Sequence, residues 1–482
     1  MILSNKHSIS IKNTNTLCMR IEKRKKNYGN TLLIVMIFGS IAFILMVLGI
    51  LSYALFENKI SSETYRRDVA FHISEAGINY YRWHLAHNTT DFTDGTGHVG
   101  PYVHAMNDKL NNPVGNYAID ISSPLPNSSV IAVASTGTVL SAPNANRTIK
   151  VRLGFPSFTD SAFIENVDME FSATTQVHGD VMTNGGIRFD GTTDSWLRSA
   201  KTTYSYQGQT KNGIWGTGGP QYYWQFPVPA ADFASVSADL SAIKTAAQSG
   251  GKYLLSSGKE GYQIVFNNTQ YTVYKVNTRD CYYGAGSWKR NWQGWYWNGT
   301  TYCYDVGTRT LVGTYTLPAN GVMFVEDNVW LEGTVDGRIT IGVGNFPVPS
   351  DYKEVFISNN LLQKQKSSDD VIGIIAQGDI IVPFEAPSTM EIDAAALSQY
   401  AQIFTPYYNQ NEYPNALKNS LTFFGSQISY GGGGWKYVTG QGQVVSGYLY
   451  TNHVYDGNLK YFPPPGFPVG STYELISWEE VK

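Results

Sequence analysis

The sequence predicts a mostly β protein led by one long N-terminal α-helix. The helix and a short antiparallel meander come first, then a parallel β-helix (solenoid) domain carrying a helix and hairpin insertion. Three observations carry this reading. Thr31 to Phe56 contains no charged side chain, and apolar residues keep a helical spacing as far as Trp83. Beyond Pro156, short apolar triplets alternate with Gly, Asn and Asp turns.

The leader, residues 1–29, ends in Lys23-Arg24-Lys25-Lys26-Asn27-Tyr28-Gly29. The run 31–56 that follows exceeds the roughly 20 apolar residues needed to cross a bilayer. It is also longer than the ~7–15 residues of a secretory signal core. The basic cluster before it is expected to stay cytoplasmic, which exports everything after residue 56. The helix, residues 30–88, continues past the span through Ile60, Tyr65, Val69, Ile73, Ala76, Tyr80 and Trp83, with charged residues on its other faces. No proline interrupts residues 30–100, and only Gly77 weakens the part beyond the span. Unbroken from Thr31 to Ala86, it would be ~84 Å long.

These residues resemble the N-terminus of type IV pilins, specifically the PilX-type minor-pilin group. The likeness rests on the basic leader closed by Gly29, on Asn30-Thr31-Leu32-Leu33-Ile34-Val35, and on Ile73-Ser74-Glu75-Ala76-Gly77-Ile78. It implies cleavage by a prepilin peptidase after Gly29 and a mature N-terminus at Asn30. It further implies, as partners, that peptidase, the pilus assembly platform, the lipid bilayer and other pilin subunits packed along the helix. The implied location is the inner (cytoplasmic) membrane as a single-pass protein, with a cytoplasmic N-terminus and an extracellular C-terminal domain that can enter a surface pilus. Two positions depart from the pattern: Asn30 stands where Phe or Met is usual, and Ile34 where Glu is usual. The Glu is thought to neutralise a neighbouring subunit's amine in lipid, so Ile34 argues for a minor or tip subunit, or for an anchor that is never cleaved.

Residues 87–113 are polar and Gly-rich and read as loop. Within the pilin-like meander, 89–158, alternation marks strands at Tyr117–Ile121, Val130–Ala134 and Thr148–Leu153. The exported domain, 159–482, holds short runs such as Val329-Trp330-Leu331 and Ile339-Thr340-Ile341. Such strands suit rungs that bury their apolar faces only when stacked; an irregular sandwich or jelly roll is the alternative. An insertion is expected at about 192–310. It contains an amphipathic helix with Phe233, Val236, Leu240, Ile243 and Ala247 on one face, then a hairpin turning at Asn267-Asn268. This helix and hairpin, and the tail from Tyr455 through Pro463-Pro464-Pro465-Gly466-Phe467 to Trp478, also resemble parts of PilX-like proteins.

Composition narrows the function. Charged residues are 15% of the chain, the net charge is −3, and aromatics reach 14% with 33 Tyr and 11 Trp. With no basic surplus, nucleic-acid binding has no electrostatic support. Cys281 and Cys303, both beyond the span, are expected to pair, unpaired thiols being the alternative. They bound a loop bearing Trp288, Trp292, Trp295, Tyr296 and Trp297, which reads either as a stapled mini-core or as a contact surface for a glycan or a surface protein. Asp369-Asp370, His178 with Asp180, and Arg338 are the candidate catalytic groups and His84 with His87 a candidate metal pair; none forms a recognised motif. Gly431-Gly432-Gly433-Gly434 lacks a phosphate-cradling context and reads as a flexible turn. No cofactor, metal site or catalytic residue is assigned. The expectation is a structural or adhesive component of a pilus or pilin-like assembly, and not an enzyme. The alternative is a membrane-anchored β-helix enzyme or binding protein acting on surface polysaccharide.

Overall fold

The computed structural model describes residues 28–124, 130–155, 157, 159–233, 239–291, 294–345, 351–366, 369–439, 442–470 and 473–481. It is mostly β with one long N-terminal helix, α1 (Tyr28–His87). Two compact units divide between Val69 and Ala70. In the first, the described residues 31–68 are all exposed, Ile34 among them. Among the described residues, α1 is the one helix long and apolar enough to cross a membrane.

In the second unit, residues 70–87 of α1 lie on an antiparallel sheet. Its strands are β1 (Tyr102–Asn107), β2 (Pro113–Ser122), β3 (Ile131–Val139), β4 (Ala142–Gly154) and the C-terminal strand Glu474–Val481, in that order. β2, β3 and β4 fall where alternation places them, whereas β1 lies inside the stretch read as loop. The helix face that meets the sheet also differs from the large-residue stripe. Ala70, Ile73, Ser74, Gly77, Ile78, Tyr81 and Leu85 are buried, while Trp83 is 57% exposed and Tyr65 and Ile60 are exposed too. Small residues decide this. A Cβ on Gly137 of β3 would run into the Ala70 carbonyl and the Ser74 amide, and one on Gly77 would meet Ser135 and Tyr117. At Gly137 strand and helix main chains meet because the strand carries no side chain there, and Gly77 leaves room on the helix for the Ser135 and Tyr117 side chains.

Among the described residues, most of the rest of this unit is built on three ladders, with smaller sheets beside them. One is parallel throughout: Lys252–Leu254, Val322–Val325, Arg338–Val343, Val371–Ala376, Thr389–Ser398, Leu417–Ser429, Phe163–Glu165, Val181–Thr183, Leu197–Ser199 and Trp224–Gln225. A second runs from Gly261–Asn268 through Val329–Val335, Val355–Gln363, Ile380–Ile381 and Ile403–Phe404 to Gly433–Gly434. The third joins Leu417–Ser429 to Val444–Val454, Thr175–His178 and Thr192–Thr193. In register, Ile339 sits beside Ile372 and Ile341 beside Ile374, and these fully buried side chains form one continuous core.

Chain order and ladder order differ. The chain joins the ladders midway, at Phe163–Glu165, and builds outward to Trp224–Gln225. It then starts again at Lys252–Leu254 and works back until Gln427 pairs with Phe163. The helix α2 (Asp239–Gly250), with Leu240, Ile243 and Ala247 buried, lies between the two halves in sequence; Val236 lies outside the described residues. Within 192–310, Thr192–Thr193, Leu197–Ser199, Trp224–Gln225 and Lys252–Leu254 all belong to the ladders. The hairpin Gly261–Asn268 with Gln270–Val276 closes on the Asn267–Gln270 pair and turns at Asn268-Thr269, one residue beyond the Asn267-Asn268 expected from the sequence.

Candidate functional site

The aromatic loop is an antiparallel hairpin of two 13-residue strands, Arg279–Asn291 and Gly294–Val306. Cys281 and Cys303 are joined by a disulfide near its base. That base is fixed. Tyr282 packs on Phe384 with ring centroids 4.2 Å apart and donates its hydroxyl hydrogen bond to Glu385. The Asp305 carboxylate accepts from the backbone amides of Phe384 (3.1 Å) and Glu385 (2.9 Å). Burial pushes the Asp305 carboxyl up to about 6, against those two hydrogen bonds. Arg279 lies over Trp330, whose indole donates to the Tyr304 carbonyl at 2.7 Å.

Above this base the hairpin is exposed. Trp288 faces Trp297 across the strands and Arg290 faces Trp295, so these four share one side of the ribbon. Tyr283 stacks on Trp297 at 4.7 Å, and Trp288 meets Trp297 edge-on at 5.7 Å. Gly286 lies opposite Gly299, which leaves room for the Trp297 ring; a Cβ on Gly286 would collide with it. Trp295 is 66% exposed, and Trp288 is exposed as well. Tyr296 pairs with Lys289 on the opposite side, and Trp292 lies outside the described residues. The result is a presented aromatic face with a cation on it, seated on a buried foot. Such a face can stack on a sugar ring or fill a partner's pocket.

The other candidate groups are dispersed. His84 bonds Asp91 (2.9 Å) and His87 the Trp83 carbonyl (2.8 Å), so the two imidazoles do not share a partner. His178 pairs with Asp194 at 2.7 Å, while Asp180 takes Arg198 at 2.6 Å. Asp370 accepts from the Gly337 and Gln365 amides, and Arg338 donates to the carbonyls of Asp369, Phe462 and Pro463. Asp370 and Arg338 hold backbone in place, while His84, His178 and Asp180 pair with separate side chains. No cluster of three or more His, Cys, Asp or Glu able to hold a metal occurs among the described residues. Gly29 and Asn30 lie in the first turn of α1. Gly433-Gly434, read as part of a flexible turn, is a strand: it pairs with Ile403–Phe404 so closely that a Cβ on Gly433 would strike the Ile403 carbonyl.

The architecture is therefore a long apolar helix leading a mostly β body, with a presented aromatic hairpin. No family model matches the chain, and no curated protein matches it. Among solved structures it is similar to the competence-associated pilin ComZ from Thermus thermophilus, with 14% identity and a TM-score of 0.36 over 86% of this chain and 97% of that one.

Proposed function

We propose that this chain is a structural, adhesive component of a type IV pilus or pilin-like surface assembly, a minor or tip subunit of the PilX-type group. One observation carries the reading. The first part of α1 presents an uncharged apolar run that is exposed among the described residues, while residues 70–87 of the same helix are seated on an antiparallel sheet through Gly77 and Gly137. An exposed apolar run of that length needs lipid or other helices around it. In this reading Thr31–Phe56 sits in the membrane before assembly and against neighbouring subunits afterwards. The parallel ladders form a solenoid, and the hairpin offers Trp288, Trp295 and Trp297 to a glycan or a surface protein. The role is mechanical, not catalytic.

Mass spectrometry of the native N-terminus in the producing cell tests this. A chain beginning at Asn30 is expected. An intact leader in cells that make pili would overturn the pilus reading and leave a permanently anchored surface protein.

A further inference from the structure

The seam where the two halves of the ladder meet is closed on two sides and open on the third. Gln427 pairs with Phe163 in one ladder and Thr451 with Thr175 in another. The remaining ladder stops at Gly433–Gly434 and resumes, as a separate three-stranded sheet, at Met169–Phe171. Between those two ends the chain turns away into the antiparallel pair Lys436–Val438 and Val444–Val454. A cavity of about 510 Å³ fills the gap, within the range of small-molecule sites.

Its lining combines rings with an isolated acid. Phe163, Phe171 and Trp435 supply apolar wall. Glu165 is only 8% exposed, and its carboxyl has no hydrogen-bond or ion-pair partner among the described residues. The neighbouring polar groups are already satisfied by one another. The Trp435 indole, which can only donate, gives its hydrogen bond to the Gln427 amide oxygen at 3.1 Å. The Gln427 amide nitrogen must then donate to His453 Nδ1 at 2.9 Å, which places the imidazole proton on Nε2. Burial and the nearby Lys436 charge hold His453 down to about 3, so it is neutral. Lys436 itself is tied to the Thr174 hydroxyl (2.8 Å) and the Leu449 carbonyl (3.1 Å). At the rim, Asp168, Glu170 and Asp190 outnumber Arg188, which is spent on Asp190 and Glu170. A buried carboxyl without a cation, beside aromatic faces and under an acidic rim, lacks one complement.

We infer that this cavity is a binding site for an organic cation, an ammonium group on a short apolar stem, which pairs with Glu165 and lays its stem against Phe163, Phe171 and Trp435. Aromatic faces favour such a cation as well as its stem. Burial alone pushes the Glu165 carboxyl up to about 8. At pH 7 the empty site is therefore mostly protonated, and docking of the ammonium ionises it. A fraction of a proton passes to the buffer for each ligand bound.

Full-length protein in detergent is titrated with n-butylammonium chloride and, separately, with the uncharged n-butanol and glucose. Saturable millimolar binding is expected for the ammonium alone. Its heat should vary with the ionisation enthalpy of the buffer as proton release requires. Glu165→Gln should weaken ammonium binding about thirtyfold or more, the usual loss when a buried charge partner is removed. Equal binding of butanol, or no saturable ammonium binding by the wild-type protein, overturns the assignment without recourse to any variant. Undiminished affinity in a folded Glu165→Gln protein overturns it as well.

Discussion

Replacing Gly137 by Ala tests the contact on which the helix rests. The added Cβ would lie 2.5 Å from the Ser74 backbone nitrogen and closer still to the Ala70 carbonyl oxygen. Both obstacles are main chain of one helix, so no side chain can rotate away. The helix must retreat by roughly 1 Å to restore ordinary van der Waals distance, loosening Ile73, Ser74 and Ile78 together, and overpacking of this kind costs about 3 kcal/mol. Hydrogen–deuterium exchange read by mass spectrometry resolves the effect locally. Amides in 70–87 and in β3 should exchange about a hundredfold faster, since each 1.4 kcal/mol is a factor of ten. Gly457→Ala, with nothing within 4 Å of the new Cβ, is the control and should shift exchange by less than about threefold. Unchanged protection of 70–87 in a folded Gly137→Ala protein would show that helix and sheet are not in backbone contact.

Two further outcomes follow from the hairpin. Trp288→Ala with Trp295→Ala should abolish adhesion to a glycan or protein surface while the unfolding transition barely moves, because both rings are exposed and the foot at Tyr282 and Asp305 is untouched; lost stability with unchanged adhesion would make the face a mini-core instead. Asp305 binds its proton more tightly in the fold than in the unfolded chain, so its contribution is full below about 4 and is lost as pH rises through about 6. Denaturation midpoints taken across that window should fall by the equivalent of roughly 3 kcal/mol in the wild-type protein and stay flatter in Asp305→Asn. Parallel slopes would place the titration elsewhere.

What the sequence discloses and what it hides divide along physical lines. The apolar run of α1 and the alternation in β2, β3 and β4 are local patterns and appear where the patterns lie, and the hairpin turn falls within one residue of Asn267-Asn268. The buried face of α1 was misplaced because periodicity weights large residues, whereas close approach is made by Ala70, Ser74 and Gly77. β1 reads Tyr-Val-His-Ala-Met-Asn, apolar pairs broken by His104 and Asn107 with no period-two alternation, so its strand character shows in its pairing with β2 and not in its own pattern. The aromatic hairpin was visible as a cluster, but which rings share a side depends on cross-strand register. Glu165 gave no signal at all. It is one acid in a three-residue strand, and its isolation arises from segments far away in the chain.

That distance explains why the cavity sits where it does. Ser426 donates its hydroxyl to the Ser161 carbonyl across 265 residues of sequence, and Thr451 bonds Thr175 across 276. Elsewhere the ladders stack Ile, Val and Leu on their like, and a one-residue slip there would turn the apolar set to the other face. At the seam two separately built halves must meet in one register, and beside the Ile164–Ile428 pair the buried contacts include the Ser426 and Thr451 hydroxyls, Gln427 and His453, which bond in one alignment only. Polar groups that fix a register cannot also fill space as branched aliphatics do. Two ladders cross the seam by backbone pairing and the third does not. A polar, incompletely filled gap is the physical consequence of joining the halves there, and Glu165, the residue that pairs with Ser429 at that junction, is left facing it.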